Sequence, residues 1–156
     1  MEIHAARRED IPAMLALLRQ VGQVHHHIRP DLVRQGAQKY DQPALEALLD
    51  DPRRPIFGAY VQGTMVGYAF CILKQTLDDP VMQDRTVLYV DDLCVEESCR
   101  GQGIAGQLFD YVTAFAREQG CQALTLNVWC GNDRAMAFYE KRGMKPQKIQ
   151  METILC

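Results

Sequence analysis

The chain has 156 residues, a length typical of one domain, and its 47% of hydrophobic residues is enough to build a core. Its formal net charge of −3 argues against nucleic acid as the main partner, because nucleic-acid binding needs a basic face. No apolar run approaches the ~20 residues of a membrane-spanning helix, and residues 1–8 lack the apolar stretch of a signal peptide. We therefore expect a single cytoplasmic domain over residues 1–156 that has no membrane partner.

The first half of the chain predicts a strand, two helices and a β-hairpin. Asp10 and Pro12 are typical of a helix start, and Gly22 is typical of a helix end. Gln62 and Gly63 are typical of a hairpin turn. The predicted elements, in chain order, are a strand at 2–6, a helix at 10–22, a polar irregular segment at 25–40, a helix at 43–49, and hairpin strands at 56–61 and 65–73.

The second half alternates strands with amphipathic helices. Apolar residues recur at helical spacing from Ile104 to Phe115, and Gly120 ends that pattern. The predicted elements are a polar loop at 77–85, a central strand at 86–95, a helix at 104–119, a strand at 122–129, a helix at 133–142 and a last strand at 147–155. Hairpins followed by βα units predict an α/β (mixed α+β) fold with one mixed sheet and helices on both faces.

The six cysteines include no Cys-x-x-Cys pair. Most of them lie in or beside predicted strands, where a free thiol behaves as a small apolar side chain. We therefore expect reduced thiols and no metal site. A covalent acyl-cysteine on Cys94 or Cys130 is disfavoured, because neither thiol has an evident activating partner in the sequence.

The central strand leads into a glycine-rich helix start, at Gly101, Gly103 and Gly106. Such a turn presents bare backbone N–H groups to an anion, which predicts a phosphate-bearing ligand. The spacing also matches the dinucleotide pattern Gly-x-Gly-x-x-Gly. We disfavour that interpretation because the strand lies in mid-chain after a hairpin and no second half of a dinucleotide fold follows it.

Two motifs together resemble those of the GCN5-related N-acetyltransferase (GNAT) superfamily. The run 100–105 fits its [Arg/Gln]-x-x-Gly-x-[Gly/Ala] signature for acetyl-CoA. The second signature comprises 127–129, Asn132, Ala135, Phe138, Tyr139 and Gly143. The resemblance implies a sheet of about six to seven strands that is splayed in the middle, acetyl-CoA as co-substrate, and no metal. Because relatives often dimerise, it also allows a homodimer.

The resemblance implies how acetyl-CoA is held. The pantetheine arm would bind the backbone of the central strand, and the pyrophosphate would rest on the N–H groups of the glycine turn. Asn132 would contact the pantetheine, cap its helix, or do both. The residues implied to bind acetyl-CoA are Leu93, Cys94, Val95, Arg100, Gly101, Gln102, Gly103, Ile104, Ala105, Gly106, Asn132 and Tyr139.

Three residues are the candidates for catalysis. The resemblance implies that Tyr139 acts as general acid toward the leaving thiolate, although a tyrosine there also packs a helix on a sheet. It further implies that an acid on the central strand, Asp91 or Asp92, deprotonates or anchors the amine. Neighbouring residues on a strand point to opposite faces, so we expect only one to face the cleft. Asp91 fits better by its distance from the glycine turn, and an exposed acidic pair is the alternative.

The acceptor is predicted only by class. Candidate contacts are His27, Asp91 and Trp129, and the acidic loop of Asp78, Asp79 and Asp84 suits a small cationic amine such as a polyamine or an aminoglycoside. Consecutive histidines cannot share one face of a helix, so 25–27 does not predict a metal triad; a solvated loop is the alternative there. The alternative functions are acetylation of a protein lysine or N-terminal amine, and a non-catalytic domain that binds CoA.

Overall fold

The computed structural model describes residues 1–156 as one mixed sheet of five strands with α-helices on both faces. The elements are β1 (Glu2–Ala5), α1 (Ile11–Ile28), α2 (Gln42–Leu49), β2 (Ile56–Val61), β3 (Thr64–Thr76), β4 (Arg85–Val95), α3 (Ile104–Glu118), β5 (Ala123–Leu126) and α4 (Asp133–Lys141). The strands stand in the order β1-β2-β3-β4-β5. The predicted α/β class and mixed sheet are confirmed. None of the helices is long and apolar enough to cross a bilayer.

The sheet opens between its last two strands. Strands β1 to β4 pair antiparallel with their neighbours, whereas β5 runs parallel to β4. That parallel pairing joins Val87–Val90 to Ala123–Leu126 and stops there, although β4 continues to Val95. The last five residues of β4 therefore face a gap on this side.

The sheet has five strands, so the expected number of six to seven strands is wrong. Strand β5 ends at Leu126 rather than at 129, and the segment 147–155 forms no strand. A strand needs hydrogen-bonded neighbours, and within this chain residues 147–155 have no neighbouring strand.

Helix α1 extends six residues past Gly22, so the predicted helix end there is wrong. A Cβ at Gly22 would lie 2.0 Å from the backbone oxygen of Ala37. The glycine is thus required by close packing of the segment 29–41 against the helix, not by helix termination. In consequence, the three histidines 25–27 lie on the last turns of α1 rather than in a loop.

The core has one main cluster on each face of the sheet. Helices α1 and α2 bury Met14, Leu18 and Leu45 on one face, and α3 buries Leu108 and Val112 on the other. Each fully buried aliphatic side chain of this kind contributes ~1.5–3 kcal/mol. The helices on both faces pack against β4 and so fix the position of the residues at the gap.

Candidate active site

A cleft of about 890 Å³ lies where β4 and β5 separate. Its walls come from α1, from the end of β4, from the turn into α3, and from one side of α4. The predicted ligand-binding residues that line it are Leu93, Cys94, Val95, Arg100, Gly101, Gly103, Ile104, Ala105, Gly106, Asn132 and Tyr139. Gln102 is not part of the lining. The cleft thus brings together two motifs that are separated by about thirty residues in the sequence.

The glycine turn presents free backbone donors to the cleft. Gly101 and Gly103 have φ angles of +78° and +77°, which glycine adopts without strain. Gly103 is the N-cap of α3 and provides no side chain to cap it. The first N–H groups of this 15-residue helix consequently have no side-chain cap and lie at its positive end. This arrangement fits the pyrophosphate of a CoA ligand.

Arg142 adds a cation to this end of the cleft, and the sequence did not reveal it. A Cβ at Gly106 would lie 2.0 Å from its Nη2, so the glycine makes room for the guanidinium over the first turn of α3. The guanidinium forms an ion pair with Asp110 at 2.5 Å and lies 5.3 Å from the ring of Phe138. Arg142 directly follows α4 and belongs to no recognisable motif, so the sequence carries no signal for this role.

A β-bulge places both candidate acids on one face of β4. Phe70 pairs with Asp92 and the next residue of β3 pairs with Val90, which leaves Asp91 as the extra residue. Val90 packs in the α3 cluster and Cys94 in the α1 cluster, although both would share a face in a regular strand. The expectation that the two aspartates point to opposite faces is therefore wrong.

The Asp91 carboxylate is held by the segment that follows α1. Tyr40 donates its phenol hydrogen bond to Oδ2 at 2.7 Å, and the Lys39 ammonium contacts Oδ1 at 2.8 Å. The Asp91 side chain is only 11% exposed, whereas that of Lys39 is 47% exposed. Asp91 thus binds an ammonium group that reaches it from the solvent side.

The Asp92 carboxylate lies deeper and accepts a hydrogen bond of 2.7 Å from Tyr68. Burial raises the pKa of Asp92 to about 6, although the bond from Tyr68 acts in the opposite direction. Burial also raises the pKa of Tyr139 to about 12, and the charge of Asp92 adds to that effect. The charge of Asp92 therefore helps to keep the Tyr139 phenol protonated.

Tyr139 and Asn132 both lie on α4 at the edge of the cleft. The Tyr139 ring packs against Phe109 and Phe138, with centroids 6.0 Å and 5.1 Å away. Asn132 caps α4, because its Oδ1 accepts the N–H of Ala135 at 3.2 Å. The capping role predicted for Asn132 is present, and Asn132 is also one of the residues that line the cleft.

The predicted acceptor contacts His27, Asp91 and Trp129 do not line the cleft, and neither does Asp92. The two aspartates lie on β4 directly before the lining residue Leu93, whereas Trp129 lies beyond β5 and is 40% exposed.

Burial lowers the pKa of His25, and the charge of Lys39, which contacts Asp91, acts in the same direction. His26 instead bonds through Nδ1 to the carbonyl of Val33 at 2.7 Å.

The acidic loop between β3 and β4 stabilises its own turn. Asp79 accepts the N–H groups of Val81 and Met82 at 2.8 Å each, and these bonds lower the pKa of Asp79. Asp84 accepts the N–H of Asp78 at 2.9 Å. These carboxylates are not among the cleft residues, so they give no support to an acidic acceptor pocket.

Burial raises the pKa of the Cys94 thiol to about 12, which argues against a thiolate nucleophile at this position.

Comparison with known proteins agrees with this geometry. The sequence model of the Acetyltransferase (GNAT) family matches residues 21–144. A bovine (Bos taurus) thialysine N-epsilon-acetyltransferase is 38% identical over 56 residues, which cover 36% of this chain and 33% of the bovine protein. This chain thus aligns with only about a third of that relative's length.

Two solved structures extend the comparison to the whole fold. A variant of the BH1408 protein from Bacillus halodurans is 30% identical, has a TM-score of 0.96, and is matched over 100% of both chains. The aminoglycoside N-acetyltransferase AAC(6')-Iy, solved in complex with CoA, has a TM-score of 0.72 at 16% identity over 99% of this chain and 100% of that one. At that identity the likeness concerns the fold alone.

Proposed function

Because this chain belongs to the GNAT family and is an acetyltransferase, we propose that it transfers the acetyl group of acetyl-CoA directly to a primary amine of a small cationic acceptor. A polyamine or an aminoglycoside has the required chemistry. The observation that carries this proposal is the contact between the Lys39 ammonium and Asp91 at 2.8 Å. It supports Asp91, at the open end of β4, as a carboxylate that would bind an alkylammonium group of the acceptor in place of Lys39.

The cleft would bind the second substrate, acetyl-CoA. Acetyl-CoA supplies an acetyl group that is activated as a thioester. The glycine turn 100–106 and Arg142 would hold its pyrophosphate, and the unpaired end of β4 at 93–95 would hold its pantetheine. The same strand carries Asp91 and Asp92 immediately before these residues, so acceptor and acetyl donor would meet where the sheet opens.

The acids would prepare the amine. A primary alkylammonium has a pKa of ~10.4, so it must lose a proton before its nitrogen can attack. Asp91 would bind the ammonium, and Asp92 would accept the proton. With its pKa raised to about 6, Asp92 is mostly ionised at neutral pH and is a stronger base than an exposed aspartate.

Tyr139 would assist the leaving group. As the nitrogen–carbon bond forms and the carbon–sulfur bond breaks, the electron pair goes to sulfur. The phenol of Tyr139, with its pKa raised to about 12, stays protonated and can donate a hydrogen bond to the thiolate. Complete proton transfer to a thiolate of pKa ~8.5 is uphill by ~5 kcal/mol, so the thiolate would take its final proton from solvent. The phenol then acts chiefly as a hydrogen-bond donor.

An acceptor panel tests this proposal. CoA release is followed with spermidine, an aminoglycoside and a lysine-containing peptide, and values of kcat/KM are compared. We expect the two small polycations to exceed the peptide by at least tenfold. The variant Asp91→Asn should raise KM for the amine while leaving KM for acetyl-CoA within about twofold. A preference for the peptide would support a protein acetyltransferase instead.

Calorimetric titration with CoA separates an enzyme from a binding domain. Tight binding without turnover for any amine would indicate a CoA-binding domain that does not catalyse. If neither CoA nor acetyl-CoA binds, the assignment of the cleft is wrong.

A further inference from the structure

Lys39 is the one lysine of this chain whose ammonium lies on a carboxylate. The sequence has five lysines, at 39, 74, 141, 145 and 148, and only Lys39 forms a salt bridge. Its single acidic partner is Asp91, at 2.8 Å, and its side chain is half exposed. An amine of the chain itself thus occupies the carboxylate to which the proposed function assigns the amine of the acceptor.

The backbone that carries Lys39 is fixed on both sides. Before it, Gln38 accepts a hydrogen bond from Arg19 of α1 at 3.3 Å and donates one to the carbonyl of Tyr40 at 3.1 Å. After it, Tyr40 donates its phenol hydrogen bond to Asp91 at 2.7 Å. These bonds fix where the Lys39 side chain begins, whereas its flexible four-carbon stem lets the ammonium leave Asp91 and return.

The proposed base lies next to this contact. Asp92 directly follows Asp91, and the positive charge of Lys39 acts on it by lowering its pKa. Leu93, the first of the residues that would hold the pantetheine, comes directly after Asp92 and lines the cleft. The amine of Lys39, the base and the acetyl donor would therefore meet along three consecutive residues of β4.

A tethered amine has an advantage over a dissolved one. A group that is linked to its reaction partner by a short flexible connection acts at an effective concentration on the order of 1 mM. Its reaction also needs no loss of translational freedom at the moment of transfer. When no acceptor is present, Lys39 is therefore the amine that a loaded site meets first.

From these contacts we propose that Lys39 is a self-acetylation site, to which the chain transfers the acetyl group of acetyl-CoA. The proposal rests on the proposed function, because it uses Asp91 as the carboxylate that binds the amine. The Lys39 ammonium gives a proton to Asp92, and its nitrogen attacks the thioester carbonyl. The nitrogen–carbon bond forms, the carbon–sulfur bond breaks, and the electron pair goes to sulfur, which takes a proton from solvent.

The product limits the reaction to one turnover. Acetyl-lysine carries no positive charge, so the salt bridge between Lys39 and Asp91 is lost. Its amide nitrogen is no longer a nucleophile. Self-acetylation at this site therefore stops at one acetyl group per chain, unlike the repeated turnover expected with a dissolved amine.

Mass spectrometry of the intact chain, followed by peptide mapping, tests the proposal. The protein is incubated with acetyl-CoA and without an added amine. We expect one acetyl group per chain, on Lys39, at a rate that does not depend on protein concentration. Lys39→Arg should remove the modification, because a guanidinium keeps the charge but is not a nucleophile. The matched control is Lys74→Arg, since the Lys74 ammonium lies over the Tyr89 ring at 4.0 Å and has no acidic partner; its rate should stay within twofold.

Excess CoA separates catalysed acetylation from spontaneous reaction of a lysine with a thioester. CoA would compete with acetyl-CoA for the cleft, so it should slow the catalysed modification of Lys39 at least tenfold. Spontaneous acetylation does not require the cleft and would continue at an unchanged rate. The same samples report whether Lys141, the lysine that lines the cleft near Arg142, is modified instead.

Three outcomes would overturn the proposal. The first is an unmodified Lys39 in a chain that releases CoA with an added amine, which would leave the proposed function intact. The second is acetylation that excess CoA does not slow or that is spread over several lysines. The third is a rate that rises with protein concentration, which would indicate transfer between chains. Acetylated Lys39 without turnover of any small amine would support self-acetylation and refute only the proposed acceptor.

Discussion

Tyr68 on β3 donates a hydrogen bond of 2.7 Å to Asp92 on β4, and it does so from a fully buried position. This bond lowers the pKa of Asp92, while burial raises it by more, and the balance is a value of about 6. The Asp92 carboxylate is thus ionised at neutral pH at a cost to the stability of the fold. The proposed base is strong for the same reason that it is destabilising.

We expect Asp92→Asn to raise stability and lower activity. The pKa of Asp92 is about 6 when folded and ~3.9 when unfolded, so stability falls as the pH rises from about 4 through 6. Asparagine removes that penalty and still accepts the bond from Tyr68. Chemical denaturation should show a gain of about 3 kcal/mol at pH 7.5 and no gain below pH 4, with kcat reduced at least tenfold. A gain that does not depend on pH would contradict this account.

Tyr68→Phe should shift the pH profile of the enzyme. Without the phenol, Asp92 loses the hydrogen bond that stabilises its charge, so its pKa should increase further. The acidic limb of kcat/KM should therefore move to higher pH by about half a unit or more. A matched control is Tyr60→Phe, which removes a phenol that bonds to Asp10 far from the cleft. If the acidic limb of kcat/KM stayed at the same pH in Tyr68→Phe, Asp92 would not be the base.

Tyr139→Phe should lower kcat by ten- to a hundredfold and leave the affinity for CoA within about twofold. The aromatic packing on Phe109 and Phe138 is retained, and only the hydrogen bond to the leaving sulfur is lost. Steady-state kinetics and calorimetry separate the two effects. If turnover is unchanged, the residue only packs α4, which was the alternative interpretation of the sequence.

Gly103→Val should abolish CoA binding in a protein that still folds. A side chain at this position would stand in front of the first N–H groups of α3, and its φ of +77° disfavours valine. Gly120→Val is the control for strain alone, because Gly120 has φ +72° and ends α3 away from the cleft. Calorimetry should show binding by the control and none by Gly103→Val. If both variants bound CoA with equal affinity, the pyrophosphate of CoA would have to bind elsewhere.

The parts of the site that the sequence predicts are local. The glycine turn, the start of α3 and the Asn132 cap depend on residues within a few positions of one another. The bulge at Asp91 could not be predicted, because it appears only when β3 and β4 are aligned and one residue is left over. Arg142 was missed for a similar reason, since its space is created by Gly106 on another helix.

Two segments were misassigned because a local pattern has more than one physical cause. Gly22 is typical of a helix end, yet the segment around Ala37 requires its missing side chain for packing. The alternation at 147–155 is that of a strand, but a strand also needs a partner, which the single chain does not provide. The first error arises from a contact between residues that are distant in sequence, and the second from the absence of a neighbouring strand.

The contact at Gly22 leads to a stability prediction. Gly→Ala inside a helix usually stabilises it by ~1 kcal/mol, but here the new Cβ would lie 2.0 Å from the oxygen of Ala37. The backbone must move, so Gly22→Ala should destabilise the fold by ~1–3 kcal/mol. The displaced segment carries Lys39 and Tyr40, which hold Asp91, so KM for the amine should rise while KM for acetyl-CoA stays constant.

Gln23→Ala is the matched control for this substitution, because Gln23 is the next residue of α1 and is exposed to solvent. Its effect on the free energy of unfolding should stay within ~0.5 kcal/mol. Thermal and urea melts of both variants, measured beside the two KM values, test the packing argument. A stabilised Gly22→Ala would mean that the segment 29–41 yields freely, and that it does not fix the position of Lys39 on Asp91.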